Sequence, residues 1–405
     1  MSAIATRLSH APACRTLSFP ILALTSQHDG LQPSQLPDVA TTDDGKVTKV
    51  TEPIANAVRT TTTSTERTTM VAGVFAGNGH LELATRPVPH IERGTDVVLH
   101  VEACGICGTD LKILSVPQGH DATPGVVLGH EFVGTVQDVG TDVVSLRPGD
   151  RVVVAPNIAC GQCRWCQRGA WLHCEHFTTH GIFLDGGLAP FVRVSASACH
   201  RISPSIPAHI AALAEPLSTV VHGAQLAAVF PGETAVVIGT GPIGLLYTAL
   251  LRHAGATVLA VEPTAHRAQL ARMMGVMAVA PNSAELHDAL NTFTDGLGAD
   301  VVVDAVGSQF STALRLVRKR GRVILFGANS QATAPIKQYD ITRNQLQVLG
   351  AYVGQDVFPV AVRLLEQGTL DLEPLVTHRI KLEQLPEAVD DLRAGRAVKV
   401  QVEFD

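Results

Sequence analysis

Residues 235–253 read AVVIGTGPIGLLYTALLRH, and this stretch decides the fold. Its apolar, mostly β-branched opening predicts a buried strand over Ala235 to Gly239. The apolar spacing from Pro242 to His253 predicts a helix, and Thr257 to Glu262 predicts a second strand. Strand, glycine turn, helix and strand make a βαβ unit. In that setting the turn is a dinucleotide fingerprint, with Gly239, Gly241, Pro242, Ile243 and Gly244 as the expected cofactor-binding positions. Pyrophosphate sits over the helix N-terminus, Gly241 lets the backbone approach it, and Gly244 lets the helix pack closely on the sheet.

Glu262 ends the second strand about 20 residues further on, where a carboxylate accepts hydrogen bonds from the adenosine ribose hydroxyls. A 2′-phosphate would meet a like charge there, so NAD is expected rather than NADP. Arg267, five residues later, either softens that penalty or simply contacts the adenosine side.

The alternation continues downstream through strand-like Asp300 to Val306 and Gly321 to Gly327, as a doubly wound parallel sheet requires. Val306, Gly307 and Gly327 fall at carboxyl ends of strands; they line a nicotinamide pocket or are plain turn residues. Upstream, Val97 to Val101, Val152 to Val154 and Phe191 to Val194 are short β segments separated by Gly, Pro and Asp, which predicts an all-β body from Val71 to about Val220. Helix-like Val357 to Gln367 and strand-like Val398 to Phe404 are expected to return to that body. Residues 1–69, with scattered Pro, Ser and Thr and no apolar periodicity, are expected to be a disordered extension. A transit segment or a true start at Met70 are the two readings of it.

A chain of 405 residues exceeds what one core holds, so more than one domain is expected. Basic and acidic residues are interspersed at a net charge of −6, which leaves no basic stripe for nucleic acid. No apolar run approaches the length that spans a bilayer, so no membrane attachment is expected. Of eight cysteines, Cys160, Cys163, Cys166 and Cys174 fall within fifteen positions, a clustering that favours metal over disulfides and a reducing compartment, the cytoplasm.

Those four have the spacing Cys-x2-Cys-x2-Cys-x7-Cys, which folds thiolates around a tetrahedral ion and leaves no coordination position open. Such a zinc holds a loop and performs no chemistry; an iron–sulfur cluster is the other occupant that a thiolate set of this kind takes. A second group is dispersed: Cys107 in Cys104-Gly-Ile-Cys-Gly-Thr-Asp110, His130 and Glu131 in Gly129-His-Glu, and Glu215 in Glu215-Pro-Leu. Sulfur, imidazole and carboxylate from separate segments suit a catalytic zinc with room for substrate. Two zinc ions per chain are therefore expected.

Taken together in this order, the motifs resemble the zinc-containing branch of the medium-chain dehydrogenase/reductase family, especially its polyol (sorbitol-like) and threonine dehydrogenases. The resemblance covers Met70 to Asp405. It implies an α/β chain with a GroES-like β-rich catalytic domain, residues 70–219 and 353–405, interrupted by a Rossmann domain, residues 220–352. It further implies Cys107 and His130 as ligands of the catalytic zinc, with Glu131 and Glu215 as carboxylates that reach the metal directly or through its water. Thr109 would place its hydroxyl against the substrate oxygen, and Asp110 would fix the His130 tautomer. The implied reaction passes hydride from a secondary alcohol to NAD and yields a ketone. A sugar alcohol, cyclitol or related diol is the expected substrate, L-threonine the alternative; a non-catalytic nucleotide-binding protein is the rival from another class. A homo-oligomer, dimer or tetramer, is expected. One departure stands out: relatives commonly carry a relay histidine where this chain has Lys112.

Overall fold

The computed structural model describes residues 68–405. The expected disorder of residues 1–69 lies outside these but for Thr68 and Thr69, and the first strand runs Thr69–Gly77.

The parallel sheet has six strands in the spatial order Met277–Val279, Thr257–Val261, Thr234–Ile238, Ala299–Asp304, Val317–Leu325 and Gln347–Gly350. All five pairings between neighbours are parallel. In chain order this is 3-2-1-4-5-6, the doubly wound arrangement whose order reverses beside the first strand. Ala235 and Val237 enter one hydrophobic cluster while Val236 and Ile238 enter another, so this central strand is buried on both faces. That is why it reads as a continuous apolar run.

The helix Pro242–His253 begins on its proline, where a missing N–H costs nothing, and buries Leu245, Leu246 and Leu251 against the sheet. A Cβ on Gly244 would stand 1.8 Å from the Gly239 carbonyl oxygen. The close approach of helix to turn therefore requires glycine there.

The second lobe is mainly antiparallel. Its largest sheet centres on Asp96–Gly105, which pairs with Glu131–Val139 and with both Phe191–Ser195 and Val400–Glu403. The C-terminal return expected from sequence is thus made by Val400–Glu403, preceded by the helix Phe358–Gln367. A separate core fills this lobe. The all-β expectation up to Val220 is corrected: Gly108–Ile113 and Ala208–Ala211 are short helices, and the longest helix there is Ala214–Ala227. Nearly every residue of its first two turns is buried, so it lacks the one-sided pattern that marks a surface helix.

Candidate active site and metal centres

The four-cysteine loop gathers as its spacing predicts. One ligand atom each from Cys160, Cys163, Cys166 and Cys174 lies within 4.8 Å of the others. Backbone N–H groups of Gln162 and Cys163 point at the Cys160 sulfur, 3.4 Å away, and those of Cys160 and His176 point at Cys174 at 3.2 and 3.3 Å. Such donors stabilise thiolates. N–H groups of Cys166 and Glu175 hold the Cys163 thiol down to about 6. Four converging sulfurs fit a tetrahedral zinc.

The dispersed group converges as well. Cys107 caps the helix Gly108–Ile113, and its own N–H donates to Asp110 Oδ2 at 2.8 Å. Cys107, His130 and Glu131 present a sulfur, an imidazole nitrogen and a carboxylate oxygen within 4.8 Å of one another, a mixed donor set that suits zinc. Thr109 stands in the first turn of the same helix. Glu215 is not part of this trio; it lies in the first turn of Ala214–Ala227, where burial pushes its carboxyl up to about 7. Asp110 Oδ1 approaches His130 Nδ1 to 3.8 Å, a Coulombic contact too long for a hydrogen bond, and neither buried atom has another partner among the described residues.

One residue that sequence reasoning passed over stands behind the trio. Lys399 is buried, and its ammonium donates to Glu131 Oε2 and, at 3.1 Å, to the Ile106 carbonyl. Burial opposes its charge, but Glu131 and the neighbouring Cys107 outweigh that and hold its pKa above the usual lysine value. The signal for it was a lysine between Val398 and Val400, at the head of a segment whose valines are all buried.

Beside Glu215 opens a cavity of about 490 Å³, lined in part by Asn157, Trp171, His200, Ser218 and Asp356. Its size suits a small molecule, and its lining is mainly apolar, with Asn157, Ser218 and Asp356 as polar groups that can meet hydroxyls.

At the dinucleotide turn, a Cβ built on Gly241 meets nothing within 4 Å, so the backbone faces open space at the helix N-terminus. Phosphate fits that cradle. Glu262 Oε2 accepts from the Thr240 N–H at 2.8 Å and hydroxyl at 3.2 Å, and Oε1 from the Thr264 N–H at 2.9 Å. Arg267 makes no hydrogen bond to Glu262; its Nε is buried without a partner, and its outer nitrogen lies 3.6 Å from where a Cβ on Gly395 would be.

A dinucleotide cradle in one lobe and a mixed-donor metal centre in the other define a metal-dependent, nucleotide-linked oxidoreductase. Comparison with known proteins narrows this. Residues 93–204 match the alcohol dehydrogenase GroES-like domain, and residues 242–367 match the zinc-binding dehydrogenase domain. D-altritol 5-dehydrogenase of Agrobacterium fabrum is 35% identical over 77% of this chain and 92% of its own length. L-threonine 3-dehydrogenase of Anaeromyxobacter dehalogenans is 33% identical over 78% of this chain and 93% of its own. A zinc-binding dehydrogenase of Sinorhizobium meliloti, solved bound to NADP, superposes with a TM-score of 0.77 at 32% identity, covering 84% of this chain and all of that one. The chain belongs to the zinc-containing medium-chain dehydrogenase/reductase family, and it is a zinc-dependent alcohol dehydrogenase that uses a nicotinamide dinucleotide.

Proposed function

We propose that this enzyme oxidises one secondary hydroxyl of a polyol, cyclitol or related diol to a ketone with NAD as acceptor. The observation that carries the reading is the convergence of Cys107, His130 and Glu131, with the buried Glu215 lining a cavity of small-molecule size. The altritol dehydrogenase relative supports a polyol; the threonine dehydrogenase relative makes L-threonine the second reading.

In this reading Cys107, His130 and Glu131 hold the catalytic zinc, and the four-cysteine loop holds a structural one. A zinc held at the first site would supply the Lewis acid for the alcohol oxygen, and a bound nicotinamide would supply the hydride acceptor. Thr109 takes the hydroxyl proton and passes it outward. Lys399 balances the Glu131 carboxylate, which would otherwise be an uncompensated buried charge. Glu215, with a pKa near neutrality, hydrogen-bonds a second hydroxyl of a diol. Gly239, Gly241, Pro242, Ile243 and Gly244 cradle the pyrophosphate, Glu262 the ribose, and Arg267 the adenosine side. The domain division at 70–219, 220–352 and 353–405 is part of the same reading, with the helix Ala214–Ala227 crossing its first boundary.

We further propose a homo-oligomer, dimer or tetramer, in the cytoplasm. The parallel sheet ends on Gln347–Gly350 with an open edge, a surface that a second copy covers. No helix among the described residues is long and apolar enough to cross a membrane. The decisive experiment follows NAD reduction by the purified, zinc-loaded enzyme over polyols, cyclitols and L-threonine. Turnover of polyols above all others is expected; preference for L-threonine would replace the first reading with the second.

A further inference from the structure

Lys112 lies half-buried on the helix Gly108–Ile113, one turn beyond Thr109, and its ammonium donates to the carbonyl oxygen of Ala328 in the Rossmann lobe. No salt bridge among the described residues joins 68–206 or 376–405 to 234–350, so this contact crosses the cleft where ion pairs do not.

Both ends of the bond are anchored. On the catalytic side the Lys112 carbonyl accepts from the Gly119 N–H at 2.9 Å and the Ser115 hydroxyl at 2.8 Å, while Arg393 donates to the Leu114 carbonyl at 2.6 Å. On the other side Gly327 donates to the Asp304 carbonyl at 3.0 Å, and Asp304 Oδ1 accepts from Val306 and Gly307 at 3.0 and 2.8 Å. A Cβ on Gly307 would stand 2.1 Å from the Gly327 carbonyl oxygen, so these two strand-end loops touch through glycine. Ala328 follows directly, at the carboxyl edge of the parallel sheet where this fold receives its ligand.

We propose that Lys112 is a positioning residue: its bond to Ala328 fixes the helix bearing Cys107 and Thr109 against the loops that hold the nicotinamide, and so sets the donor-to-acceptor geometry of hydride transfer. The inference rests on the proposed placement of Thr109 and of the nicotinamide. As an ammonium, Lys112 has three N–H donors and no lone pair, so while charged it donates to Ala328 and accepts no proton. Misplacement of reacting groups by a fraction of an ångström to an ångström is costly in rate, which gives a surface bond leverage on turnover.

The test compares Lys112→Met, which keeps the stem and loses the donor, with Lys112→Arg, which keeps a donor. The Met variant is expected to lower kcat by about threefold to tenfold with little change in the KM for alcohol, the worth of one such hydrogen bond. Its isotope effect on kcat, measured with alcohol deuterated at the reacting carbon, should rise as hydride transfer becomes slower. The pH profile of kcat should keep its shape, and the Arg variant should recover most of the loss. NADH affinity, read from coenzyme fluorescence with no alcohol present, should weaken in the Met variant. Unchanged kcat together with unchanged NADH affinity overturns the proposal, as does a displaced pH profile with an unaltered isotope effect, which would mark a relay. Thr109→Ala is run in parallel: if it spares turnover, the reading of the active site has failed, and NADH affinity alone then decides whether Lys112 latches the cleft.

Discussion

Two cysteine-containing donor sets, built in opposite ways, occupy this enzyme. Cys160, Cys163, Cys166 and Cys174 come from one loop near the surface, and their convergence is a property of about one turn of chain. Cys107, His130 and Glu131 come from a helix cap and the start of the strand paired with the one before it, with His130 and Glu131 buried and Lys399, just before the strand Val400–Glu403, reaching Glu131 from 268 residues away in sequence. The first set is closed and held by its own backbone N–H groups; the second depends on the whole lobe being folded. A locally built, fully coordinated site serves the fold, whereas a site assembled from distant segments keeps room for a substrate.

The largest expected effect tests that division directly. Cys107→Ala should lower turnover by roughly a thousandfold or more, since it removes a ligand from the group that polarises the alcohol, yet leave the melting temperature close to wild type. Cys166→Ala should do the reverse in stability, lowering the melting temperature or soluble yield because the loop loses its ion. Metal analysis alongside should give two zinc ions per wild-type chain and one in each variant. If Cys107→Ala unfolds the protein while Cys166→Ala keeps its stability and loses only turnover, the assignment of roles is inverted.

Legibility in the sequence follows the same contrast. The four-cysteine loop and the turn at 239–244 were readable because their determinants are contiguous, and the helix Pro242–His253 has the bounds that its proline start and apolar spacing predict. The dispersed motifs were readable as fragments, but their meeting was not, because sheet pairing between Asp96–Gly105, Glu131–Val139 and Val400–Glu403 brings them together. Lys399 shows the limit most clearly. A lysine between two valines reads as a strand residue facing solvent, and only the register that pairs Gln401 with Gly105, and Gly105 with Glu131, brings it to that carboxylate. The helix Ala214–Ala227 was missed for a related reason: a helix buried on most sides has no polar face to reveal its period.

Lys399 sharpens the comparison at the next scale of effect. Lys399→Met removes one member of a buried ion pair and leaves Glu131 charged in a site closed to water, so folding stability should fall by about 3–5 kcal/mol. A bound zinc would offset part of that loss by supplying another positive charge. Denaturant melts of wild type and variant, with and without a chelator, would show it: the deficit should be larger in the metal-free protein. An equal deficit in both would mean that Glu131 does not sense the metal, and would detach it from the catalytic set.

The smallest expected effect concerns the dinucleotide end, where a single side chain has two tasks. Burial alone would raise the pKa of Glu262, but the N–H groups of Thr240 and Thr264 outweigh it and hold the carboxyl below its ordinary range, so it is ionised at neutral pH. Those three bonds shape the glycine turn and leave one lone pair, on Oε1, for a ribose hydroxyl. Glu262→Ser should therefore weaken both coenzymes through the turn, while narrowing the preference for NAD over NADP by roughly tenfold to a hundredfold, about 1.5–3 kcal/mol, because the like charge facing a 2′-phosphate is gone. Glu262→Gln separates the tasks: its single amide oxygen can keep one of the two Thr N–H bonds and it carries no charge, so it should narrow the ratio with less general loss than Ser. Arg267, whose buried Nε has no partner, is the cation that gains the added phosphate, and Glu262→Ser combined with Arg267→Ala should lose most of the NADP gain. The comparison is made on kcat/KM for both coenzymes with one alcohol at one pH. An unchanged ratio in both single variants would leave Glu262 as a turn-shaping residue alone and remove it from coenzyme selection.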